Sequence, residues 1–296
     1  MFVAGIDGGG THTRLELRDE RNQLLGRMEF GPFNLNSIGE TGFVRLLEQL
    51  FAACGDMRQC KSICFGAAGI SNPRVKALIQ QALDGISYAG KWTLLGDQQI
   101  ALRGAMDAPG IALIAGTGSI CFGQNPQGQT ARSGGYGHLI DDEGSGYALG
   151  RDVLRTAIRT LDGRPGSDAI AQAVCDRIGS TAPQALVQLV YGPQADKSTV
   201  AAFAPIALQL AQERNPEALA ILSRGASELA LLVCAVQRKL QMAHCPIALL
   251  GGLIQQDNPY RQQVAAALAP LGTPVAPAHD ALWGAAQIAW EQAAMA

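Results

Sequence analysis

An acid and a run of glycines follow the first apolar segment of the chain. Residues 2–6 are apolar, Asp7 and three glycines come next, and residues 11–18 then alternate between Thr or Leu and charged side chains. Alternation is the period of a β-strand, so the glycines join two strands of a hairpin. Their bare N–H groups can form an anion-binding concavity that suits phosphate. Because Asp7 repels phosphate, we expect a divalent cation between them.

The same pattern occurs again in the middle of the chain. Residues 111–115 are apolar, Gly-Thr-Gly-Ser follows at 116–119, and residues 120–122 form another apolar segment. A third apolar strand, 246–250, leads into two glycines at 251–252, where bare backbone can admit a flat ring or a ribose. The repetition indicates a duplicated domain with two phosphate-binding turns. Taken singly, each motif could equally be an ordinary glycine-rich turn.

Asp97 lies between a predicted strand, 92–96, and a predicted helix, 98–105. Ligands gather at the carboxyl ends of strands in open α/β sheets. One interpretation makes Asp97 a helix N-cap. The other makes it a general base, and both can hold because a helix N-terminus favours the ionised carboxylate.

Residues 134–145 read Gly-Gly-Tyr-Gly-His-Leu-Ile-Asp-Asp-Glu-Gly-Ser and are called the acidic loop below. Glycines beside an aromatic ring and several acids fit a polyol site, in which carboxylates accept hydrogen bonds from hydroxyl groups. Alternatively, the acids belong to a loop that caps a helix from Ser145 to about Leu161. A further loop, 31–36, offers Asn34 and Asn36, either of which could cap a local turn.

The composition is that of a globular enzyme. A length of 296 residues suits two domains. A net charge of −2 gives no sign of the basic surface that binding to nucleic acid or to an anionic membrane would require. The seven cysteines contain no Cys-x-x-Cys pair, which favours reduced thiols in the cytoplasm, and the four histidines lack the spacing of zinc ligands. No secretion signal or membrane-spanning stretch is expected. The predicted partner is a small molecule.

Taken together, the Asp-Gly-Gly-Gly-Thr start, the Gly-Thr-Gly-Ser turn, the acidic loop and the late Leu-Gly-Gly resemble one family. They are similar to the N-acetylglucosamine kinases and bacterial glucosamine kinases, of the BadF/BadG/BcrA/BcrD type within the sugar kinase, Hsp70 and actin superfamily. The resemblance spans essentially the whole chain in the same order, and the acidic loop is its most specific part.

This resemblance implies an α/β fold with two ribonuclease-H-like (actin-like ATPase) domains and a cleft between them. The N-terminal domain would comprise residues 1–115, joined by the C-terminal helix 281–296, and the second domain residues 116–280. The implied activity is ATP- and Mg²⁺-dependent phosphorylation of N-acetylglucosamine at its 6-hydroxyl, with glucosamine as the alternative substrate. A remoter alternative is a partner-activating ATPase of the dehydratase-activator type. Relatives of this kind are often homodimers.

The resemblance also assigns roles to individual residues. Asp97 would be the catalytic base, and Asp7 would hold Mg²⁺ through water. The residues implied in ATP binding are Gly9, Gly10, Thr11, Thr13, Gly116, Thr117, Gly118, Gly251, Gly252 and Gln256. Those implied in sugar binding are Asn34, Asp97, Ser119, Ile120, Gly135, Tyr136, Gly137 and Asp142. Tyr136 stands where the family often has tryptophan, so stacking on the sugar is a weaker expectation.

Overall fold

The computed structural model describes residues 1–67, 70, 72–107 and 109–294. Its strands are β1 (Phe2–Gly8), β2 (Thr13–Asp19), β3 (Leu24–Phe30), β4 (Cys60–Ala67), β5 (Lys91–Gly96), β6 (Gly110–Ala115), β7 (Ser119–Gln124), β8 (Thr130–Gly134), β9 (Cys245–Leu250) and β10 (Gly272–Val275). Its helices are α1 (Leu35–Cys54), α2 (Pro73–Gly85), α3 (Asp97–Ala105), α4 (Gly146–Leu161), α5 (Asp168–Ile178), α6 (Pro183–Tyr191), α7 (Lys197–Ala201), α8 (Ala204–Gln212), α9 (Pro216–Leu240), α10 (Pro259–Leu268) and α11 (Ala281–Ala294).

The chain forms two compact units. The first unit comprises Met1–Ala108 and Pro277–Ala296, and the second comprises Pro109–Ala276. The second unit therefore begins before β6, a strand that the sequence-based boundary at residue 115 assigned to the N-terminal domain. β6 pairs with β7 and β9, so its hydrogen bonds place it in the second sheet. Residues 295 and 296 of the expected C-terminal helix lie outside the described residues.

The sheet of the first unit has the order β3-β2-β1-β4-β5. β1 to β3 form an antiparallel meander, as the alternating sequence predicted, whereas β4 and β5 run parallel to β1. The register aligns Gly8 with Ala67 and Ala67 with Gly96. The carboxyl ends of β1, β4 and β5 consequently meet at one edge of the sheet.

Helices cover both faces of this sheet. On one face, Ile6 of β1 packs in a core with apolar residues of α1 and α2. On the other, Val3 packs with residues of α3 and α11. A Cβ atom at Gly5 would lie 2.2 Å from the backbone nitrogen of Ala286, so only glycine lets α11 approach β1 this closely. α1 begins at Leu35 and kinks at Gly39, where φ is +66°.

The second unit repeats this topology. Its sheet has the order β10-β9-β6-β7-β8, in which β6 to β8 are antiparallel and β9 and β10 run parallel to β6. The duplication predicted from the two glycine turns is therefore confirmed, as is the α/β fold class. The edge strands β8 and β10 were not predicted. β10 contains Pro274, which a strand tolerates at a sheet edge because no ladder hydrogen bond is lost there.

α9 is the central helix of the second unit. It starts with Asn215 as N-cap accepting the Ala218 N–H and with Pro216 in the first turn. Within the described part of the chain, α9 is the single helix that is long enough and apolar enough to cross a membrane. Its apolar residues Ile221, Leu229 and Val233 are buried in the core of the second unit, so α9 serves as a core helix.

Candidate active site

The first glycine turn, residues 8–12, is a tight connection between β1 and β2. The Gly9 N–H donates to the His12 carbonyl at 2.9 Å and closes the turn. Gly10 and Thr11 at its tip are exposed to solvent. Solvent can therefore reach this tip, as the predicted binding of phosphate would require.

Thr13 has a different environment from the one expected of a phosphate ligand. Its side chain is fully buried, and its hydroxyl donates to the Gly31 carbonyl at 2.6 Å. Thr13 thus supports the turn from its buried side, and its hydrogen bond connects β2 to the loop that leads to Asn34.

A second contact fixes the same loop. The Phe33 N–H donates to the Gly9 carbonyl at 2.9 Å, and a Cβ atom at Gly8 would lie 2.6 Å from the Phe33 ring. The Asn34 amide oxygen accepts the Asn36 N–H at 3.1 Å and caps α1. Asn34 therefore performs the local capping role and also stands beside the first glycine turn.

Asp7 faces Arg14 across the hairpin. The two residues are register partners, and Arg14 Nη2 donates to Asp7 Oδ2 at 2.5 Å. Arg14 Nη1 also lies 3.5 Å from Asp280 Oδ2. Burial acts to lower the pKa of Arg14, but the hydrogen bond and charge of Asp7 and the charges of Asp280 and Glu29 together outweigh it, so this pKa lies above its ordinary value.

The environment of Asp7 suits one kind of metal site. Its side chain is 16% exposed at the end of β1. Mg²⁺ in nucleotide sites keeps several waters and is held by one or two carboxylates together with phosphate oxygens. The described part of the chain holds no group of three metal-ligating side chains. A single carboxylate beside the exposed first glycine turn therefore fits Mg²⁺ delivered with a nucleotide.

Asp97 is the first residue of α3 and is exposed. The N-cap is Gly96, whose N–H donates to the Gln99 side chain at 2.9 Å, and the Asp97 carboxylate accepts the Gln98 N–H at 2.9 Å. Since Gly96 lies in register with Gly8 two strands away, roughly 10 Å separates the two strand ends. The first unit therefore brings Asp7, Asn34, Asp97 and the first glycine turn to one edge of its sheet.

The second glycine turn, residues 116–119, closes like the first. The Gly116 N–H donates to the Gly118 carbonyl at 2.9 Å. The start of α4 is attached to this turn, because the Gly146 N–H donates to the Gly116 carbonyl at 2.7 Å and the Tyr147 N–H to the Thr117 carbonyl at 3.2 Å.

The acidic loop is attached to the same turn. Asp142 is buried, with φ at +62°, and its carboxylate accepts the Ser119 N–H at 3.2 Å. The Ser119 hydroxyl donates to the Glu143 carbonyl at 2.8 Å. A Cβ atom at Gly118 would lie 2.9 Å from Asp142 Oδ2, so this glycine lets the carboxylate close against the turn. The predicted sugar residues Ser119 and Asp142 are thus brought together, although both are engaged with each other.

The exposed part of the acidic loop carries Gly135, Tyr136 and Gly137. Both glycines have positive φ, and a Cβ atom at Gly135 would lie 2.8 Å from the side chain of Ile120. The Tyr136 side chain is largely exposed, its N–H donates to Asp141 Oδ2 at 3.0 Å, and the Arg132 guanidinium lies 4.8 Å from its ring centre. Ile120, Gly135 and Tyr136 consequently form one small surface.

The Gly251 loop, residues 251–257, follows β9. Gly251 has φ at +89°, and a Cβ atom there would lie 2.4 Å from the Ala115 carbonyl oxygen. The Leu253 N–H donates to that carbonyl at 3.2 Å. Gly252 has open space around its Cα, and Gln256 is exposed. The second unit therefore holds the second glycine turn, the acidic loop and the Gly251 loop side by side.

Two residues with a bearing on these loops were not found from the sequence. Arg14 could have been found, because a regular hairpin closed by Gly8 and Thr13 places residues 7 and 14, each one position further from the turn, opposite each other. Tyr260, whose hydroxyl donates to the Gly144 carbonyl at 2.6 Å, gave no signal, because a tyrosine in an amphipathic helix is indistinguishable from a core residue.

Curated relatives match the chain along most of its length. It is 32% identical to an N-acetylmuramic acid/N-acetylglucosamine kinase of Clostridium acetobutylicum over 265 residues, covering 87% of each chain. It is 28% identical to an N-acetyl-D-glucosamine kinase of Dictyostelium discoideum, covering 87% of this chain and 86% of the relative. It is also 25% identical to a glucosamine kinase of Vibrio cholerae, covering 97% of this chain and 95% of the relative.

A solved structure and a family profile agree with these relatives. The crystal structure of a candidate N-acetylglucosamine kinase from Chromobacterium violaceum superposes with a TM-score of 0.76 at 27% identity, covering 97% of this chain and 98% of the other. The profile of the BadF/BadG/BcrA/BcrD ATPase family matches residues 4–289. The resemblance stated from the motifs is confirmed, and the chain belongs to the BadF/BadG/BcrA/BcrD ATPase family.

Proposed function

We propose that this protein is an ATP-dependent amino-sugar kinase that transfers the γ-phosphoryl group to the 6-hydroxyl of N-acetylglucosamine. The observation that carries the proposal is the edge of the first sheet, where Asp7 lies beside the first glycine turn and Asp97 follows β5, two strands away from the end of β1. The three curated relatives described above are all named as kinases, which supports phosphoryl transfer to a sugar as the reaction class.

The two glycine turns are assigned to the phosphates of ATP. Gly10 and Thr11 would contact them through their N–H groups and the Thr11 hydroxyl, while Gly9, whose N–H donates to the His12 carbonyl, would line the turn and the buried Thr13 would support it. In the second unit, Gly116, Thr117 and Gly118 would contact the phosphates. Gly251, Gly252 and Gln256 would bind the rest of the nucleotide, where bare backbone admits a flat ring or a ribose. Asp7 would hold Mg²⁺ through water, and the bound Mg²⁺ would neutralise charge on the phosphates during transfer.

Asp97 is assigned as the general base. Its carboxylate would accept the proton of the 6-hydroxyl as that oxygen attacks the γ-phosphorus, and ADP would leave. A loose phosphoryl-transfer transition state requires only a weak base, but that base must be placed accurately. The first residue of a helix suits this role, because the N-terminal end of the helix dipole favours an ionised carboxylate.

The residues assigned to the sugar are Asn34, Asp97, Ser119, Ile120, Gly135, Tyr136, Gly137 and Asp142.

The acids of the acidic loop bear on which amino sugar binds. Asp141 accepts the Tyr136 N–H, Asp142 accepts the Ser119 N–H, and Glu143 pairs with both terminal nitrogens of Arg151. Only Glu143 has a cationic partner, so the carboxylates of Asp141 and Asp142 keep acceptor sites for hydroxyl groups or for the ammonium group of glucosamine. Our preference for N-acetylglucosamine is supported by the two relatives named for that sugar, and glucosamine stays the alternative.

The partner-activating ATPase remains the contrasting candidate. Such a role through an iron–sulfur cluster would require accessible cysteines, and here six of the seven are buried while Cys234 is partly exposed. Buried free thiols also support our proposal of a cytoplasmic location.

The test is ADP release with ATP and Mg²⁺ across N-acetylglucosamine, N-acetylmuramic acid, glucosamine and glucose, with the phosphorylated position identified by NMR. N-acetylmuramic acid belongs in the panel because the relative from Clostridium acetobutylicum is named for it. We expect a 6-phosphate from N-acetylglucosamine. Hydrolysis of ATP at the same rate without any sugar would reject the kinase proposal and favour the partner-activating ATPase.

A further inference from the structure

Tyr260 lies in the first turn of α10, and its side chain is fully buried. Its hydroxyl donates to the carbonyl oxygen of Gly144 in the acidic loop at 2.6 Å. This bond joins residues 116 positions apart in the chain. Its acceptor, Gly144, immediately follows Asp142 and Glu143, the two acids that are attached to the second glycine turn.

The same turn of α10 holds the Gly251 loop. Asn258, the N-cap, donates from Nδ2 to the carbonyls of Leu253 at 2.9 Å and Gln256 at 3.1 Å. Arg261 Nη1 donates to the carbonyls of Ile254 at 2.7 Å and Gln255 at 3.0 Å. One helical turn therefore supports the backbone of both loops.

The packing around the Tyr260 hydroxyl is specific. A Cβ atom at Gly225 of α9 would lie 2.7 Å from that hydroxyl, and a Cβ atom at Gly144 would lie 2.6 Å from the Gly225 carbonyl. Gly144 has φ at +77°. The contact between Tyr260 and the acidic loop thus requires glycine at two positions on two other segments.

We propose that Tyr260 is a positioning residue that couples the acidic loop to the Gly251 loop, so that nucleotide and sugar each strengthen the binding of the other. The inference rests on the proposed function, which assigns these loops to the sugar and to ATP. A ligand that orders one loop fixes the first turn of α10, and the second ligand then has less to order. Removing the hydroxyl leaves the buried Gly144 carbonyl without its donor, so the link from α10 to the acidic loop depends on one hydrogen bond.

The experiment measures the dissociation constant of N-acetylglucosamine by calorimetry, with and without Mg²⁺ and a non-hydrolysable ATP analogue. The ratio of the two constants is the coupling factor. We expect nucleotide to tighten sugar binding several-fold in the native protein. Tyr260→Phe, which keeps the ring, should bring the ratio close to one by weakening sugar binding about fivefold to tenfold in the presence of nucleotide.

Tyr88→Phe is the matched control. The Tyr88 hydroxyl also donates to a backbone carbonyl, that of Lys91 at 3.0 Å, but it belongs to the first unit, whereas both loops belong to the second. We expect the native ratio for this variant. If Tyr260→Phe does not fold, Arg261→Gln decides the question, because it loosens the other loop from the same turn and should lower the same ratio.

The outcomes separate the two proposals. A native protein that binds no amino sugar in either condition would reject the proposed function. A native protein that binds both ligands with a ratio of one, or a folded Tyr260→Phe variant with the native ratio, would overturn the coupling role of Tyr260 and leave the kinase proposal intact.

Discussion

Thr13→Val tests what the buried Thr13 hydroxyl does. Thr13 was expected from the family resemblance to bind ATP, yet its hydroxyl donates to the Gly31 carbonyl at 2.6 Å, three residues before Asn34. Valine keeps the shape of the side chain and removes that hydrogen bond. The substitution should therefore loosen the loop that carries a sugar ligand while leaving the N–H groups at the tip of the first glycine turn in place.

The size of the effect follows from one hydrogen bond. Because Gly31 is exposed, water can replace the lost donor, and the loss is about 1 kcal/mol rather than the full cost of a buried orphan. If this cost falls on the loop, the KM for the sugar rises roughly fivefold. The melting temperature of the first unit should fall by about 4 °C.

Steady-state kinetics with each substrate varied in turn gives the answer. We expect a raised KM for N-acetylglucosamine and a nearly native KM for ATP. Thr11→Val, at the exposed tip of the same turn, serves as the control and should raise the KM for ATP instead. A Thr13→Val variant with a raised KM for ATP and a native KM for the sugar would refute the reasoning.

Three further predictions concern stability. Glu16→Gln should destabilise the first unit by about 3–5 kcal/mol in denaturant unfolding, because it leaves the buried Arg18 without its charged partner. Gly284→Ala should disrupt the packing of α11, since its Cβ would lie 2.0 Å from a carbonyl of α3, whereas Gly26→Ala, with open space around it, should melt like the native protein. Burial raises the pKa of the Cys60 thiol from 9.0 to about 11. Since the unfolded chain releases this proton above about pH 9 and the folded protein retains it, melting temperatures should fall between pH 9 and 11, and less so for Cys60→Ser.

Local patterns explain why much of the candidate site could be found from the sequence. The alternation after the first glycine turn has the period of a strand, and the hairpin forms as expected. Asp97 was placed at the junction of a strand and a helix, and the register of β1, β4 and β5 then brings it to the same sheet edge as Asp7. The second glycine turn repeats the first because the sheet topology is repeated.

The features that could not be predicted from the sequence depend on long-range contacts or on weak periodicity. β8 contains Arg132 and Ser133 and lacks an apolar alternation, because it is an edge strand with few core contacts. The bond from Tyr260 to Gly144 depends on the meeting of α9, α10 and the acidic loop. The role of Thr13 likewise became visible only once the loop at Gly31 was placed behind it.

The measurement that tests the central claim most directly compares kcat and sugar affinity for the native protein and Asp97→Asn. Asparagine keeps the size of the side chain and an oxygen for the Gln98 N–H, so we expect native melting and a dissociation constant for N-acetylglucosamine within about fivefold of native. The rate of sugar-dependent ADP release should fall by about a hundredfold or more, since a general base is lost. A variant that folds, binds sugar and turns over at close to the native rate would contradict the assignment of Asp97 as the base.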